Sequence, residues 1–199
     1  MGGPGTLSLI LASASPRRRE LLSQLGIDFT VLPSLIPELP PPGSPAEAIT
    51  AVALAKARAV AHRLTGQPPA VVLGADTEVV LDGRLLGKPR DAADASHMLG
   101  ELRGRAHEVI TGVALVRAGQ AGPEETAAVI TRVRMAEYGA AEIEAYVATG
   151  EPMDKAGAYA VQGLGGRLVA EVGGCLSNVV GLPLSTTRRL LARWGLAGR

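Results

Sequence analysis

The chain has 199 residues, of which 47% are hydrophobic, and a formal net charge of +1. This size supports one sizeable core or at most two small lobes, so we expect a single domain over 1–199, with or without a division into two lobes. The near-neutral charge and an aromatic content of 3% disfavour nucleic acid as a partner, because neither a basic field nor a stacking surface is available.

The N-terminal segment predicts a short buried strand over 7–12 and a helix over 16–25. Ser15 is a suitable cap, Pro16 suits the first helical position, and Gly26 suits the helix end. The apolar run is interrupted by serines and has no basic leader, so it does not resemble a signal peptide. No apolar run approaches the ~20 residues that span a bilayer. We therefore expect a cytoplasmic protein without a membrane partner.

The rest of the chain alternates strands and helices early and is rich in hairpins in the middle. Residues 33–45 contain six prolines and predict a loop, Asp82-Gly83 predicts a tight turn, and the glycine-rich stretch 157–174 predicts short strands. The predicted fold class is α/β, with a mixed twisted sheet and flanking helices. The remaining predicted elements are strands at 27–32 and 71–73, a long hairpin from 107–117 and 126–136, and helices at 46–64, 91–102, 140–148 and 183–194.

Three arginines occupy the first turn of the first predicted helix, where positive charge is unfavourable by roughly 0.3–1 kcal/mol per residue. A strand, a polar turn and a helix N-terminus form an anion site, to which Ser13 adds a hydroxyl donor. Arg17 and Arg18 are therefore candidates for binding a polyphosphate, with Arg19 solvated or paired to Glu20. On this argument, neutralising Arg18 should not destabilise the free protein.

Only three lysines occur, and the chain otherwise uses arginine as its cation. Lys56, Lys88 and Lys155 are therefore candidates for positions that need a compact point charge, and chance retention on the surface is equally supported for each. Lys155 can also simply pair with the adjacent Asp154. Asp76 ends a predicted strand in "LGAD", where its carboxylate would emerge at the C-terminal edge of the sheet. On the residues alone, a catalytic Asp76 and one that only caps or turns the chain are equally supported.

Ordered motifs over about 9–190 resemble the Maf family of nucleoside triphosphate pyrophosphatases. "SASPRRRELL" is similar to the family's S-x-S-P-R-R signature. The further motifs, in family order, are "LAKARA", "GADTEVVLDGRLLGKP", "LRGRAHEVITGVAL", "TGEPMDKAGAYAVQGLGG" and "NVVGLPLS".

The resemblance implies a Maf/ITPase-like fold with two lobes around a nucleotide-binding cleft, and it implies a homodimer. It implies hydrolysis of a nucleoside triphosphate to the monophosphate and pyrophosphate with a divalent metal cation, Mg²⁺ or Mn²⁺. Asp76 matches the catalytic carboxylate, and Glu38 and Asp76 match candidate metal ligands. The positions that match substrate-binding residues are Ser13, Arg17, Arg18, Lys56, Thr77, Lys88 and Gln162.

Gln162 is the candidate for base recognition, because its amide offers a donor beside an acceptor. Uracil and thymine present a complementary N–H and carbonyl, but a flipped amide would also accept cytosine. "Y-x-V-Q-G" around Gln162 resembles the branch of the family that acts on dTTP and UTP, removing non-canonical or excess nucleotides. The alternatives are the same reaction on CTP or methylated GTP, or a nucleotide-binding regulator of septum formation without essential catalysis.

Two further residues have simpler interpretations. His107 has no second histidine or cysteine at ligand spacing, so a buried hydrogen-bonding histidine is favoured over a metal ligand. Cys175 is expected to be a small buried hydrophobe.

Overall fold

The fold is a mixed α/β sheet with flanking helices, seen in a computed structural model that describes residues 7–119 and 122–197. Within that part of the chain the strands are β1 (Ser8–Leu11), β2 (Phe29–Val31), β3 (Ala70–Leu81), β4 (Arg84–Leu85), β5 (Ala106–Ala118), β6 (Glu124–Met135) and β7 (Val169–Gly173). The helices are α1 (Pro16–Ser23), α2 (Pro45–Arg63), α3 (Ala92–Leu102), α4 (Ala140–Val147), α5 (Leu176–Val180) and α6 (Leu184–Arg193).

The sheet follows the order β2-β1-β3-β5-β6-β7, with β4 paired to β3. β1 pairs in parallel with β2 and with β3, whereas β4 and β7 pair antiparallel with their neighbours. The predicted fold class, a mixed sheet with flanking helices, is therefore confirmed. Among the described residues, none of the helices is both long enough and apolar enough to cross a bilayer.

Two compact units make up the chain. Within the described residues, the first unit contains 7–76, 111–119, 122–129 and 181–197, and the second contains 77–110 and 130–180. In the first unit, small α2 residues such as Ala53, Ala57 and Val60 pack on the β1 and β3 side chains Ile10 and Val72. Because alanine side chains are short, they let the helix lie close to the strands.

The core of the second unit contains side chains from α3, α4 and the strands, together with tyrosines. Leu99 and Leu102 of α3 are fully buried, as is Met135 of β6. The hydroxyl of buried Tyr138 donates a 2.8 Å hydrogen bond to the carbonyl of Leu99. A buried tyrosine hydroxyl requires such a partner, and this one joins the end of β6 to α3.

Local signals located most elements correctly. The Ser15 side chain accepts from the N–H of Arg18 as the cap of α1. Asp82 and Gly83 form the two-residue turn of a hairpin in which Leu81 pairs with Arg84. The long hairpin strands β5 and β6 and the helices α3, α4 and α6 lie within a few residues of their predicted positions. The centre of the predicted hairpin connection, 120–121, lies outside the described residues.

The expectation that a strand ends at Asp76 is wrong. β3 is 12 residues long and passes through Asp76 to Leu81. Only its parallel pairing with β1 ends before Asp76, because β1 stops at Leu11, opposite Leu73. β3 continues beyond that point along β5, its other neighbour in the sheet.

Two other expectations need correction. Residues 157–174 form mainly 3₁₀ turns, at Ala156–Ala158 and Leu164–Leu168, and the only strand among them is β7. Cys175 is half-buried rather than fully buried. Its backbone N–H donates to Thr131 Oγ1 at 3.3 Å, and its sulfur lies 3.2 Å from Ser177 Oγ, so its surroundings are polar.

Candidate active site

The position of Lys56 depends on an unusually close approach between α2 and β3. A Cβ atom at Gly74 would lie 2.2 Å from the carbonyl oxygen of Ala53 and 3.0 Å from the Cβ of Ala57. Glycine at 74 therefore lets the strand contact the helix backbone directly. This contact brings Lys56, one turn along α2, beside the segment of β3 that carries Asp76.

The start of α2 is fixed by reciprocal capping. The Ser44 hydroxyl accepts from the N–H of Glu47 at 3.4 Å, and the Glu47 carboxylate accepts from the N–H of Ser44 at 3.1 Å. Such a capping box satisfies two otherwise unpaired donors at the first turn. It fixes the junction between the proline-rich loop that carries Glu38 and the helix that carries Lys56.

Lys56 joins two carboxylates. Its Nζ lies 2.6 Å from Asp76 Oδ1 and 2.6 Å from Glu38 Oε1. Lys56 and Asp76 are 4% and 5% exposed, whereas the Glu38 side chain is 42% exposed. A buried ammonium group is strongly unfavourable without a charged partner, and Asp76 and Glu38 each supply one to Lys56. The cluster presents one solvent-facing carboxylate and one buried carboxylate on either side of a single cation.

Ser13 and Asp76 follow the same end of the parallel β1–β3 pair. Leu11 is opposite Leu73, and the N–H of Ala12 continues the ladder by donating to the Leu73 carbonyl at 2.8 Å. The carboxyl ends of parallel strands are the usual place for ligand sites in α/β sheets. The N-terminus of α1 and the Lys56 cluster therefore belong to one edge of the first unit.

Arg18 has a structural contact that the sequence argument did not anticipate. Its Nε donates to the carbonyl of Gly181 at 2.9 Å, and its Nη1 lies 3.4 Å from Ser13 Oγ. The Ser13 hydroxyl also accepts from the N–H of Ser15 at 3.2 Å. Arg17 is half-buried and Arg19 is exposed. This contact argues against the expectation that removing Arg18 would leave stability unchanged, because the guanidinium group makes a hydrogen bond in the free protein.

The donor set at Lys56 suits a hard divalent cation. Mg²⁺ is commonly held by one or two carboxylates, with substrate phosphates and water completing its coordination. Glu38 and Asp76 supply two such carboxylates, and each has a second oxygen besides the one bonded to Lys56. Within the described ranges, no cluster of three or more His, Cys, Asp or Glu side chains is placed to hold a metal by protein ligands alone.

The other predicted substrate residues, Thr77, Lys88 and Gln162, belong to the second unit. Thr77 is half-buried on β3, while Lys88 and Gln162 are exposed on loops. The N–H of Gly157 donates to the Gly87 carbonyl at 2.7 Å. This bond joins the loop that carries Lys88 to the segment that leads to Gln162.

His107 is a buried hydrogen-bonding residue and Lys155 pairs with its neighbour Asp154, as the sequence predicts. His107 is 3% exposed, and its Nε2 lies 2.7 Å from the hydroxyl of Tyr159. Burial lowers the pKa of His107 to about 4, so the imidazole is neutral at pH 7. Lys155 is paired with the adjacent Asp154 and also donates to the Glu151 carbonyl at 2.8 Å.

Sequence reasoning missed Glu151, whose carboxylate binds the segment after Gln162. It accepts from the N–H of Leu164 at 3.1 Å and from the N–H of Gly165 at 3.2 Å. These partners lie 13 and 14 residues later in the chain, so local patterning carries no signal for them.

Comparisons with known proteins cover almost the whole chain. The profile of the family described as Maf-like protein matches residues 8–194. Three proteins named dTTP/UTP pyrophosphatase are similar to this chain. Their identity to it is 56% for the protein from Anaeromyxobacter sp. (strain Fw109-5), 55% for that from Moorella thermoacetica and 56% for that from Myxococcus xanthus. Each match covers 94% of this chain, and the covered shares of those proteins are 89%, 95% and 93%.

Among solved structures, the chain is similar to a nucleoside-triphosphatase, a dITP/XTP pyrophosphatase, from Mycobacterium abscessus. The identity is 20% and the TM-score 0.43, over 66% of this chain and 76% of that one. The profile match and the relatives, taken with the ordered motifs, lead to one conclusion: this chain belongs to the Maf-like protein family.

Proposed function

We propose that the chain hydrolyses dTTP and UTP to the nucleoside monophosphate and pyrophosphate, and so removes non-canonical or excess nucleotides. The observation that carries this proposal is the buried Lys56–Asp76 pair, joined to Glu38, in a chain about 55% identical to proteins named for that activity. A protein that only bound nucleotides could lose this carboxylate, so the presence of Asp76 beside Lys56 favours catalysis over binding alone.

The reaction requires attack by water on the α-phosphorus. A bond forms between the water oxygen and phosphorus, the bond from that phosphorus to the α–β bridging oxygen breaks, and pyrophosphate leaves with the bridging oxygen. In this proposal Asp76 orients the water and accepts its proton. Lys56 keeps the Asp76 carboxylate in place and stabilises negative charge that develops on the phosphate.

The triphosphate is bound by cations and donors. Ser13, Arg17 and Arg18 at the start of α1 supply a hydroxyl, two guanidinium groups and the helix N-terminus, and Lys88 supplies a further cation. Glu38 and Asp76 would hold a Mg²⁺ or Mn²⁺ ion. When bound, such an ion would neutralise charge on the phosphate oxygens and increase the electrophilic character of phosphorus.

Thr77 and Gln162 are assigned to the base. Both are polar and uncharged, as expected for groups that distinguish neutral pyrimidine rings by hydrogen bonds. The amide of Gln162 alone cannot distinguish uracil and thymine from cytosine. The names of the relatives favour uracil and thymine.

We also propose one Maf-like domain acting as a cytoplasmic homodimer, as the resemblance to the family implies. Light scattering coupled to size-exclusion chromatography gives the mass directly. A mass near twice 20.4 kDa supports the dimer, and a mass near 20.4 kDa contradicts it.

The function is tested with a panel of nucleoside triphosphates, measuring pyrophosphate release with Mg²⁺, with Mn²⁺ and with a chelator. We expect the highest kcat/KM for dTTP and UTP, and loss of activity in the chelator. Preference for CTP or methylated GTP would contradict the substrate assignment. Tight nucleotide binding without turnover under every metal condition would favour a regulator.

A further inference from the structure

The segment that carries Gln162 has little regular structure of its own. Residues 159–163 connect two 3₁₀ turns, Ala156–Ala158 and Leu164–Leu168, and Gln162 itself is exposed. An exposed amide in a loop discriminates poorly between bases unless other groups fix the backbone on both sides of it. Without such groups, ordering the loop on binding costs considerable conformational entropy.

Two side chains from outside the loop bind its backbone on both sides of Gln162. Glu151 accepts from the N–H groups of Leu164 and Gly165, at 3.1 and 3.2 Å. The hydroxyl of Tyr146 accepts from the N–H of Ala160 at 3.1 Å and donates to Glu151 at 3.1 Å. Tyr146 lies on α4 and Glu151 begins the next 3₁₀ turn, so the loop is tied to a rigid helix.

The loop backbone is shaped to fit this pair closely. Gly163 has φ 87° and ψ −149°, a conformation that essentially only glycine adopts. A Cβ at Gly163 would lie 3.1 Å from the Glu151 carboxylate, and one at Gly165 would lie 2.4 Å from the Tyr146 hydroxyl oxygen. The two glycines that flank Leu164 therefore allow the loop to close onto Glu151 and Tyr146.

Glu151 is suited to this task because it is ionised at neutral pH. Burial raises its pKa, but hydrogen bonds from the Gly165 and Leu164 N–H groups and from Tyr146 lower it by more, so the pKa of Glu151 lies below its ordinary value. Hydrogen bonds to a charged acceptor are stronger than neutral ones.

We propose that Glu151 and Tyr146 are positioning residues for base selectivity, which hold the 160–165 backbone so that the Gln162 amide reads the pyrimidine edge. This inference rests on the proposed function, since it assumes that Gln162 contacts the base. It predicts that weakening these contacts relaxes discrimination between bases while the phosphate chemistry, carried by the Lys56–Asp76 pair, continues.

The test uses Glu151→Gln and Tyr146→Phe in the full chain, with Glu144→Gln on the exposed side of α4 as the matched control. In Glu151→Gln one oxygen becomes an NH₂ group, which cannot accept from a backbone N–H. We expect the ratio of kcat/KM for dTTP to that for GTP to fall about tenfold, mainly through a higher KM for dTTP. Glu144→Gln should keep the wild-type ratio.

A double variant separates positioning from a general structural effect. Gln162→Ala should lower the same ratio, and adding Glu151→Gln to it should lower the ratio little further, because both changes remove one interaction with the base. If the two losses instead multiply, or if neither Glu151→Gln nor Tyr146→Phe changes the ratio, the proposal is overturned. Should Glu151→Gln fail to fold, the milder Tyr146→Phe decides.

Amide hydrogen exchange without nucleotide gives an independent readout. The Leu164 and Gly165 amides should exchange faster in Glu151→Gln, and the Ala160 amide faster in Tyr146→Phe. Unchanged exchange at these amides contradicts the positioning role itself. A different result would be faster exchange in the variants together with a wild-type protein that hydrolyses neither dTTP nor UTP. That result would contradict the proposed function, and the contacts would then have no role in base selectivity.

Discussion

The ammonium group of Lys56 lies 2.6 Å from a carboxylate oxygen of Asp76, and both side chains are almost completely buried. A buried cation between two carboxylates is an arrangement in which each group depends on the others. We expect the removal of any one of them to change both the stability of the first unit and the chemistry that the site can perform.

Asp76→Asn should abolish catalysis and retain the fold. The amide is nearly isosteric and Glu38 still pairs with Lys56, so we expect the free energy of unfolding to fall by only about 1–3 kcal/mol. Activity should fall by at least about 10²–10³-fold, because the amide can neither take a proton nor carry charge. The measurements are pyrophosphate release and urea unfolding, with exposed Asp28→Asn as the control. Retained activity would show that Asp76 is structural.

Lys56→Met should destabilise the protein more than any change to a surface ion pair. It leaves buried Asp76 facing Glu38 without a cation, and breaking a buried pair in this way costs roughly 3–5 kcal/mol. Arg58→Met on the same helix is the control, since it breaks only the exposed pair with Glu124 and should cost less than about 1 kcal/mol. Equal unfolding midpoints for the two variants would contradict the structural role assigned to Lys56.

Arg18→Ala and Arg19→Ala should differ although the residues are adjacent. Arg18→Ala leaves the carbonyl of buried Gly181 without this donor and should lower stability by about 1–2 kcal/mol. Exposed Arg19→Ala should stay within about 0.5 kcal/mol of the wild type. In nucleotide titrations at one salt concentration, Arg18→Ala should weaken triphosphate binding about 10- to 100-fold. Identical behaviour of the two variants would contradict both roles of Arg18.

Stability should decline in mildly acidic solution partly because of His107. Burial lowers its pKa in the folded state to about 4, from an ordinary 6.5. As the pH falls between these values, the unfolded chain binds a proton that the folded chain does not, so the free energy of unfolding decreases. The contribution is fully present above pH 6.5 and amounts to about 3 kcal/mol.

His107→Gln removes this contribution, whereas the carboxylates titrate alike in both proteins. Unfolding measured from pH 7 to pH 4 should therefore show a smaller acid-dependent loss in His107→Gln than in the wild type. His97→Gln is the control, because His97 is 71% exposed. Parallel pH profiles for wild type and His107→Gln would contradict the assignment.

Much of the fold follows from local sequence signals. Ser15 and Pro16 mark the start of α1, and Asp82-Gly83 marks a hairpin turn, because caps and tight turns are set by a few neighbouring residues. The path of β3 through Asp76 could not be predicted, since a long neighbouring strand, β5, extends it after β1 has ended. The glycine-rich stretch after residue 156 was also unpredictable, because its 3₁₀ turns depend on contacts with Glu151 and Tyr146.

The candidate site likewise has features that the sequence could predict and features that it could not. Motifs indicated Lys56 and Asp76. The finding that the Lys56 ammonium group joins the carboxylates of Asp76 and Glu38 follows only from the close contact at Gly74. The bond from Arg18 to Gly181 spans 163 residues and reverses the stability argument drawn from the helix N-terminus. Sequence patterns thus identified residue types suited to the chemistry, whereas their partners required the tertiary structure.

The most direct test of the central claim is to identify the products of UTP hydrolysis by the purified protein in ¹⁸O-labelled water. Attack at the α-phosphorus predicts UMP and pyrophosphate in equal amounts, with the label in UMP. Accumulation of UDP and inorganic phosphate, or label in pyrophosphate instead of UMP, would contradict the account.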